Sequence, residues 1–213
     1  DKAELIVRVN PIYEGSKKEI DQVIEQGAEI VMLPFFKTVE EVRTFISLVN
    51  SRCKTMLLVE TPEAVEKIDE ILNLEGIDEV HIGLNDLHLG YKKKFMFELL
   101  TDGTVEMLCN KFKQKGIPYG FGGISKVGTG TLPAENIIIE HYRLGSTIAI
   151  LSRSFCNTTL VTDREEIKKI FNDGVKDIRT VENKVMNYNK EQFDENKQKV
   201  IEKVKEITKS YDK

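Results

Sequence analysis

Residues 57–65 read Leu-Leu-Val-Glu-Thr-Pro-Glu-Ala-Val, and residues 80–87 read Val-His-Ile-Gly-Leu-Asn-Asp-Leu. Each segment is a short apolar run, typical of a buried strand, that ends near an acidic residue where a loop or helix begins. The two acidic residues are Glu60 and Asp86. If the strands are parallel neighbours, both carboxylates lie at one edge of a sheet, where their oxygens suit a hard divalent cation.

The composition is that of a single globular domain. The chain has 213 residues, of which 40% are hydrophobic and 31% charged, so it can bury one sizeable core. Its net charge of -4 provides no basic field for nucleic acid or anionic lipid. Three widely spaced cysteines outside any Cys-x-x-Cys pattern indicate reduced thiols. We therefore expect a cytoplasmic protein that binds neither nucleic acid nor membranes.

Strand-like and helix-like patterns alternate along the first 160 residues. Strands rich in Val, Ile and Leu, separated by helices, favour a parallel sheet with right-handed crossovers. The predicted strands are residues 5–9, 29–33, 55–59, 79–83, 118–124 and 147–151, with five intervening helices.

Two architectures fit this alternation, an open doubly wound sheet and a closed (β/α)8 barrel, because both have their chemistry at the carboxyl ends of the strands. The first strand is followed by Val-Asn-Pro-Ile-Tyr at residues 9–13, which lacks the Gly-x-Gly-x-x-Gly of a nucleotide site. We therefore predict an α/β fold of the (β/α)8 TIM-barrel type. Six strands leave that barrel two short, so we expect the first two β/α units to precede Asp1 or to come from another chain.

The predicted barrel occupies residues 1–160, and residues 161–213 form a C-terminal helical extension. Thr162 with Glu165 predicts a capping box at the start of the extension. The last helix has an apolar stripe, which predicts packing either on its own barrel or on a neighbouring subunit. The stripe consists of Val200, Ile201, Val204 and Ile207.

Four segments, in order and spacing, resemble the HpcH/HpaI aldolase and citrate lyase family. They are residues 7–11, 27–34, 59–64 and 76–87. The resemblance is strong from residue 6 to residue 90 and weaker up to residue 151. It implies a metal-dependent (β/α)8 barrel of the phosphoenolpyruvate/pyruvate superfamily, which makes or breaks a carbon–carbon bond next to a carboxylate.

Glu60 and Asp86 match the family's two metal-binding carboxylates, which implies Mg²⁺ or Mn²⁺ as the cofactor. Such an ion would polarise a keto oxygen and stabilise a pyruvate enolate. Taken separately, each residue could instead be a cap or turn residue. Arg8 matches the family's catalytic arginine beside the substrate carboxylate, and an ion pair with a nearby acid is the alternative.

The other candidate substrate-binding residues are Asn85, His88, Gly123 and Lys126. His88 departs from the small polar residue that relatives have near this place, so it is a candidate for specificity. Gly123 and Lys126 belong to a glycine-rich stretch after a late strand, where barrels often bind phosphate. A mobile loop with a solvated lysine is the alternative, and Arg153 has the same two interpretations.

Two further histidines have structural interpretations. His81 alternates with apolar residues in a predicted strand, and we predict a helix-facing or core imidazole. His141 lies on a predicted helix beside Tyr142, where a structural role is expected. The family's proton-transferring histidine comes from an early barrel loop, so no general base is assigned here.

The resemblance implies a class II, pyruvate-type aldolase, a carbon–carbon lyase acting on a 2-oxo acid and an aldehyde. It also implies a homo-oligomer, either a trimer or a hexamer. Two alternatives stay open: a lyase of the citryl- or malyl-CoA type, and a catalytically silent barrel that serves as a binding or assembly subunit.

Overall fold

The computed structural model describes residues 3–211, which form an α/β fold around one parallel sheet. Six strands lie in the sheet in chain order and curl into a half-barrel. They are β1 (Ile6–Arg8), β2 (Ile30–Leu33), β3 (Lys54–Val59), β4 (Glu79–Ile82), β5 (Tyr119–Ile124) and β6 (Ile148–Leu151). The α/β class and the six parallel strands are confirmed, and closure into eight strands stays a prediction.

Ten helices lie within the described residues. They are α1 (Ser16–Glu25), α2 (Val39–Val49), α3 (Pro62–Glu66), α4 (Ile68–Ile71), α5 (Leu84–Gly90), α6 (Glu98–Thr101), α7 (Thr104–Lys115), α8 (Ala134–Leu144), α9 (Arg164–Val185) and α10 (Lys190–Ser210). The helical segment after β3 is divided into α3 and α4 at Lys67, whose φ of -100° and ψ of 10° depart from helical values.

The strand register determines which side chains face the interior of the half-barrel. Leu58 of β3 pairs with His81 of β4, and His81 pairs with Gly120 of β5. Successive residues of a strand point to opposite faces, so this row shares one face and the neighbouring residues face the helices. The inner face carries a small apolar cluster of Ile30, Met32, Met56 and Leu58, with Ile148 against it.

The apolar stripe of α10 packs on this chain's own helices, mainly α8 and α6. Val200 and Val204 are buried in the main core. Within the described residues the stripe therefore lies against helices of its own chain, and docking on a neighbouring subunit stays a prediction. The prediction of Thr162 as a helix cap is wrong, because the side chain of Asp163 accepts the hydrogen bond from the Glu166 N–H.

The three cysteines are free thiols, as predicted. None of the helices described between residues 3 and 211 is long and apolar enough to span a bilayer. The predicted division into residues 1–160 and 161–213 stays a prediction, and residues 1, 2, 212 and 213 lie outside the described part.

Candidate active site

Glu60 lies at the turn between β3 and α3, where local sequence holds the backbone firmly. The Thr61 side chain caps α3 by accepting a hydrogen bond from the Ala64 N–H at 3.2 Å, and its hydroxyl donates to the Phe36 carbonyl at 2.7 Å. Pro62 occupies the first turn of the helix. Glu60 is therefore held at the carboxyl end of a central strand, with only 3% of its surface exposed.

The two carboxylate oxygens of Glu60 have different surroundings. Oε1 accepts a hydrogen bond from the Phe35 N–H at 3.1 Å, and Phe35 has a φ of 52°, a costly backbone conformation for a bulky residue. Oε2 lies over Gly83, since a Cβ placed there would be 2.7 Å from that oxygen. Within residues 3–211, Oε2 has no hydrogen-bond partner. One oxygen is oriented by the backbone and the other is free to bind.

Burial raises the pKa of Glu60 to about 7. The Phe35 N–H and the positive charge of Arg8 lower this pKa, whereas the charge of Asp86 raises it. Asp86 lies half-buried in the first turn of α5, which follows β4 directly. The sheet thus brings the two predicted carboxylates within electrostatic range of each other.

The carboxylate oxygens of Glu60 and Asp86 suit a hard divalent ion better than a zinc ion that needs four protein ligands. No group of three or more His, Cys, Asp or Glu side chains that could hold a metal occurs within residues 3–211. Mg²⁺ commonly uses one or two carboxylates and keeps several waters, so Glu60 and Asp86 suffice for such an ion. A bound cation would give the unpaired Oε2 a partner, and it would offset the repulsion between the two carboxylates.

A cavity of about 450 Å³ opens at the carboxyl ends of the strands. Its polar lining includes Arg8, Glu60, His81, Asn85, Ser152 and Arg153, together with the backbone of Gly123. The structure therefore brings together three of the predicted substrate-binding residues with one of the predicted metal ligands.

Asp86, His88 and Lys126 do not line this cavity. His88 is buried, and its Nδ1 lies 3.2 Å from the Leu84 carbonyl in the same helix. The Lys126 carbonyl accepts hydrogen bonds from the amide and hydroxyl of Thr129 in a turn after β5. Specificity by His88 and anion binding by Lys126 stay predictions.

His81 lies on the inner face of the half-barrel, two residues below Gly83 and 1% exposed. Its Nε2 lies 3.2 Å from the Gly122 carbonyl, which can only accept, so Nε2 carries the proton. Its Nδ1 is buried and has no hydrogen-bond partner among residues 3–211, and burial lowers the pKa of His81 to about 4. His81 is thus a neutral residue of the cavity wall, and the prediction that it could face the helices is wrong, because Val80 and Ile82 on either side of it do so. Strand alternation opposite these two residues could have indicated this position.

Comparison with known proteins connects this geometry to one family. The family model described as HpcH/HpaI aldolase/citrate lyase matches residues 1–117. The chain is 31% identical to the 2-keto-3-deoxy-L-rhamnonate aldolase of Escherichia coli strain K12, over 39% of this chain and 43% of that protein. The chain is 30% identical to the protein of the same name from Escherichia coli O17:K52:H18 strain UMN026, again over 39% of this chain and 43% of that protein.

The matched part spans less than half the length of these curated relatives, at 43%. The family model, however, covers more than half of this chain, and it includes both carboxylates of the site, Arg8 and the strands β1 to β4. The chain therefore belongs to the HpcH/HpaI aldolase/citrate lyase family.

Proposed function

We propose that this chain forms the site of a divalent-metal-dependent, class II, pyruvate-type aldolase that cleaves or forms a carbon–carbon bond of a 2-oxo acid. Membership of an aldolase and lyase family supports the reaction class. The names of the relatives, which specify a 2-keto-3-deoxy acid, support the substrate class.

The observation that carries the proposal is the placement of Glu60. Glu60 is 3% exposed, one of its oxygens is free, and the negative charge of Asp86 acts on it. An ionised carboxylate in such surroundings is costly unless a cation binds there. Gly83 leaves space over Oε2, where any side chain would collide with the carboxylate. When bound, Mg²⁺ or Mn²⁺ would supply a Lewis acid for the keto oxygen of the substrate.

Arg8 has the position and the free donors to bind the substrate carboxylate. It ends β1, lines the cavity, and forms no hydrogen bond or ion pair with a residue in the range 3–211. A guanidinium can hold a carboxylate with two parallel hydrogen bonds, and its charge offsets negative charge that develops on the adjacent keto oxygen. Cleavage moves the hydroxyl proton to a base, releases the aldehyde, and leaves the bonding electron pair on the 2-oxo acid fragment.

A thermal-shift titration with Mn²⁺ tests the metal site. Binding to the folded state alone raises the free energy of unfolding by about 2.7 kcal/mol at 100 times the dissociation constant. We expect a rise in melting temperature for the wild type and none for Glu60→Gln. Glu63→Gln is the matched control because Glu63 lies on α3, is paired with Lys37 on the surface, and should retain the full rise.

Two results would contradict the proposal. A wild-type protein without any shift would favour the silent barrel over the lyase, and an undiminished shift in Glu60→Gln would place the ion elsewhere. Release of pyruvate from 2-keto-3-deoxy-L-rhamnonate, measured with Mn²⁺ in the wild type and in Arg8→Gln, then tests the chemistry. Loss of activity by a factor of about 100 or more is expected for Arg8→Gln.

A further inference from the structure

A second cavity, of about 750 Å³, lies on the outer face of β6, between that strand and the helices α8 and α9. Its volume is in the range of small-molecule sites, which is about 300–1000 Å³. Ala149 lines this cavity, whereas Ile150, the next residue, lines the candidate active site. Because successive residues of a strand point to opposite faces, β6 separates the two cavities.

The walls of the second cavity are mostly apolar and carry no net charge. Ala149 is exposed although it lies in a strand, because neither helix packs onto it. The two charged residues of the described lining are Arg179 and Glu182, which pair with each other at 2.6 Å. The cavity therefore suits a neutral molecule better than an ion. Its aliphatic side chains come from Ile138, Leu151, Val175 and Ile178.

One buried polar atom of a lining residue has no partner. His141 is 5% exposed, and its Nε2 forms no hydrogen bond with any residue in the range 3–211. Its Nδ1 lies 2.7 Å from Ser146 Oγ, which itself lies 3.3 Å from the carbonyl oxygens of Tyr119 and Ile148. A carbonyl can only accept, so the Ser146 hydroxyl donates there and accepts from His141 Nδ1–H. Nε2 then carries no proton and is an unused acceptor.

The position of this acceptor is fixed by contacts on other sides of the ring. The His141 ring stacks on Phe121 with centroids 3.8 Å apart, and the hydrogen bond to Ser146 holds its opposite nitrogen. A buried acceptor without a partner costs free energy, and a donor group on a ligand would remove that cost. Because Nε2 is buried, the group that reaches it has to be small, which a broad protein surface would not provide.

We propose that the cavity between β6, α8 and α9 binds a neutral, largely apolar small molecule whose hydroxyl or N–H group donates a hydrogen bond to His141 Nε2. The apolar walls provide the burial, and the single acceptor selects molecules with a donor over those without one. This site goes beyond the proposed function, because it requires neither the metal ion nor Arg8.

Calorimetric titration of the full chain, without added metal, tests the site with indole and benzofuran. The two molecules have nearly the same shape, but indole has an N–H donor where benzofuran has an oxygen. We expect the wild type to bind indole about tenfold more tightly, because only indole gives the buried acceptor a partner. In protein labelled with ¹⁵N-histidine, the NMR resonance of His141 Nε2 should move upfield with indole and much less with benzofuran.

Three variants locate the site. His141→Phe keeps an aromatic ring on Phe121 but removes the acceptor, so it should bind both molecules with equal affinity. Ala149→Phe places a ring in the cavity and should abolish the binding of both. Met186→Phe is the control, since Met186 is exposed and does not line the cavity, and it should leave both affinities unchanged. If His141→Phe does not fold, the NMR measurement and Ala149→Phe still decide.

Three results would overturn the proposal. Equal affinities of the wild type for indole and benzofuran, or a preference for indole that survives His141→Phe, would exclude the role of Nε2. Failure of both molecules to bind up to their solubility limits would exclude a small-molecule site. Self-association of the wild type in sedimentation that Ala149→Phe abolishes would show that the cavity is an interface between copies of this chain. The metal-dependent site is tested separately by the thermal shift with Mn²⁺.

Discussion

Two of the three buried histidines, His81 and His141, are neutral but differ in their surroundings. His141, on α8, stacks on Phe121 with ring centroids 3.8 Å apart, and its Nδ1 lies 2.7 Å from the Ser146 hydroxyl oxygen. The pKa of His141 is lowered to about 3, mainly by burial and to a smaller extent by the proximity of His81. His141 packs between the sheet and a helix, in keeping with the structural role expected from the sequence.

His141 is predicted to make the protein less stable in acid. Its folded-state pKa lies below the unfolded value of about 6.5, so stability is fully present above that pH and is lost as the pH falls towards 3. One such group contributes about 2 kcal/mol to the difference in unfolding free energy between pH 7 and pH 5. Urea denaturation of His141→Asn should show a smaller loss between these two pH values than the wild type.

Ser146→Ala is the control for that measurement. It removes the partner of His141 Nδ1 but no titrating group, so its unfolding free energy should fall by a similar amount at both pH values. If the wild type and His141→Asn lose equal stability between pH 7 and pH 5, His141 is not the group that makes the protein less stable in acid.

At the same scale, the sequence indicated the positions of some candidate residues better than others. Arg8 ends β1 and Glu60 directly follows β3, and the ends of parallel strands meet at one edge whatever the rest of the fold does. The sequence could not place Arg153 at the cavity, because its position depends on how far the sheet curls, and the residue is exposed there. The free oxygen of Glu60 also depends on contacts with Phe35 and Gly83 that are distant in sequence.

Among the elements, some helices begin at a clear side-chain cap that lies within the local sequence. Thr38 forms a capping box with Glu41, and Thr61 caps α3. The helix α5 was missed because it is a short helix of seven residues that follows β4 without a linker or a side-chain cap. This omission matters for the site, since α5 holds Asp86 and His88 in place.

The attachment of α10 to α8 is polar as well as apolar. Asn196 donates hydrogen bonds to the Asn136 carbonyl at 3.1 Å and to Glu140 Oε1 at 2.8 Å. Glu140 is 1% exposed, and its Oε2 is paired with Arg143 at 2.8 Å. Because both oxygens of this buried carboxylate have hydrogen-bond partners, the contact specifies how α8 and α10 pack.

Asn196→Ala is predicted to destabilise the protein by about 2 kcal/mol, because it leaves one oxygen of the buried Glu140 without a donor. Gln198→Ala, two residues along on the exposed side of α10, is the matched control and should change the free energy of unfolding by less than about 0.5 kcal/mol. Chemical denaturation measures both. Equal effects of the two variants would show that Asn196 does not anchor the helix.

For the whole molecule, the edges of the sheet are the least protected part. β1 has three residues and β6 has four, and on their inner face Ile6 is 46% exposed and Ile150 is 44% exposed. β3 and β4, in contrast, lie in the middle of the sheet with mostly buried side chains. The half-barrel therefore presents apolar surface and unpaired backbone groups along both edges.

Hydrogen exchange measured by mass spectrometry should reflect this difference. We predict that amides of β1 and β6 exchange faster than those of β3 and β4, because edge strands open with less loss of packing. Equal protection of all four strands would contradict the prediction and would indicate that further strands or a second copy cover the edges in solution. The expected homo-oligomer could then be tested by sedimentation at several concentrations.

Local periodicity was enough to predict the α/β class, the six parallel strands and the acidic residue that follows β3, because each depends on residues within one strand or turn. Three features followed only from long-range packing: the free oxygen of Glu60, the shared cavity of Arg8 and Arg153, and the docking of α10 on its own chain. Each depends on the curl of the sheet or on contacts between elements far apart in sequence, and a pattern of neighbouring residues does not encode these directly.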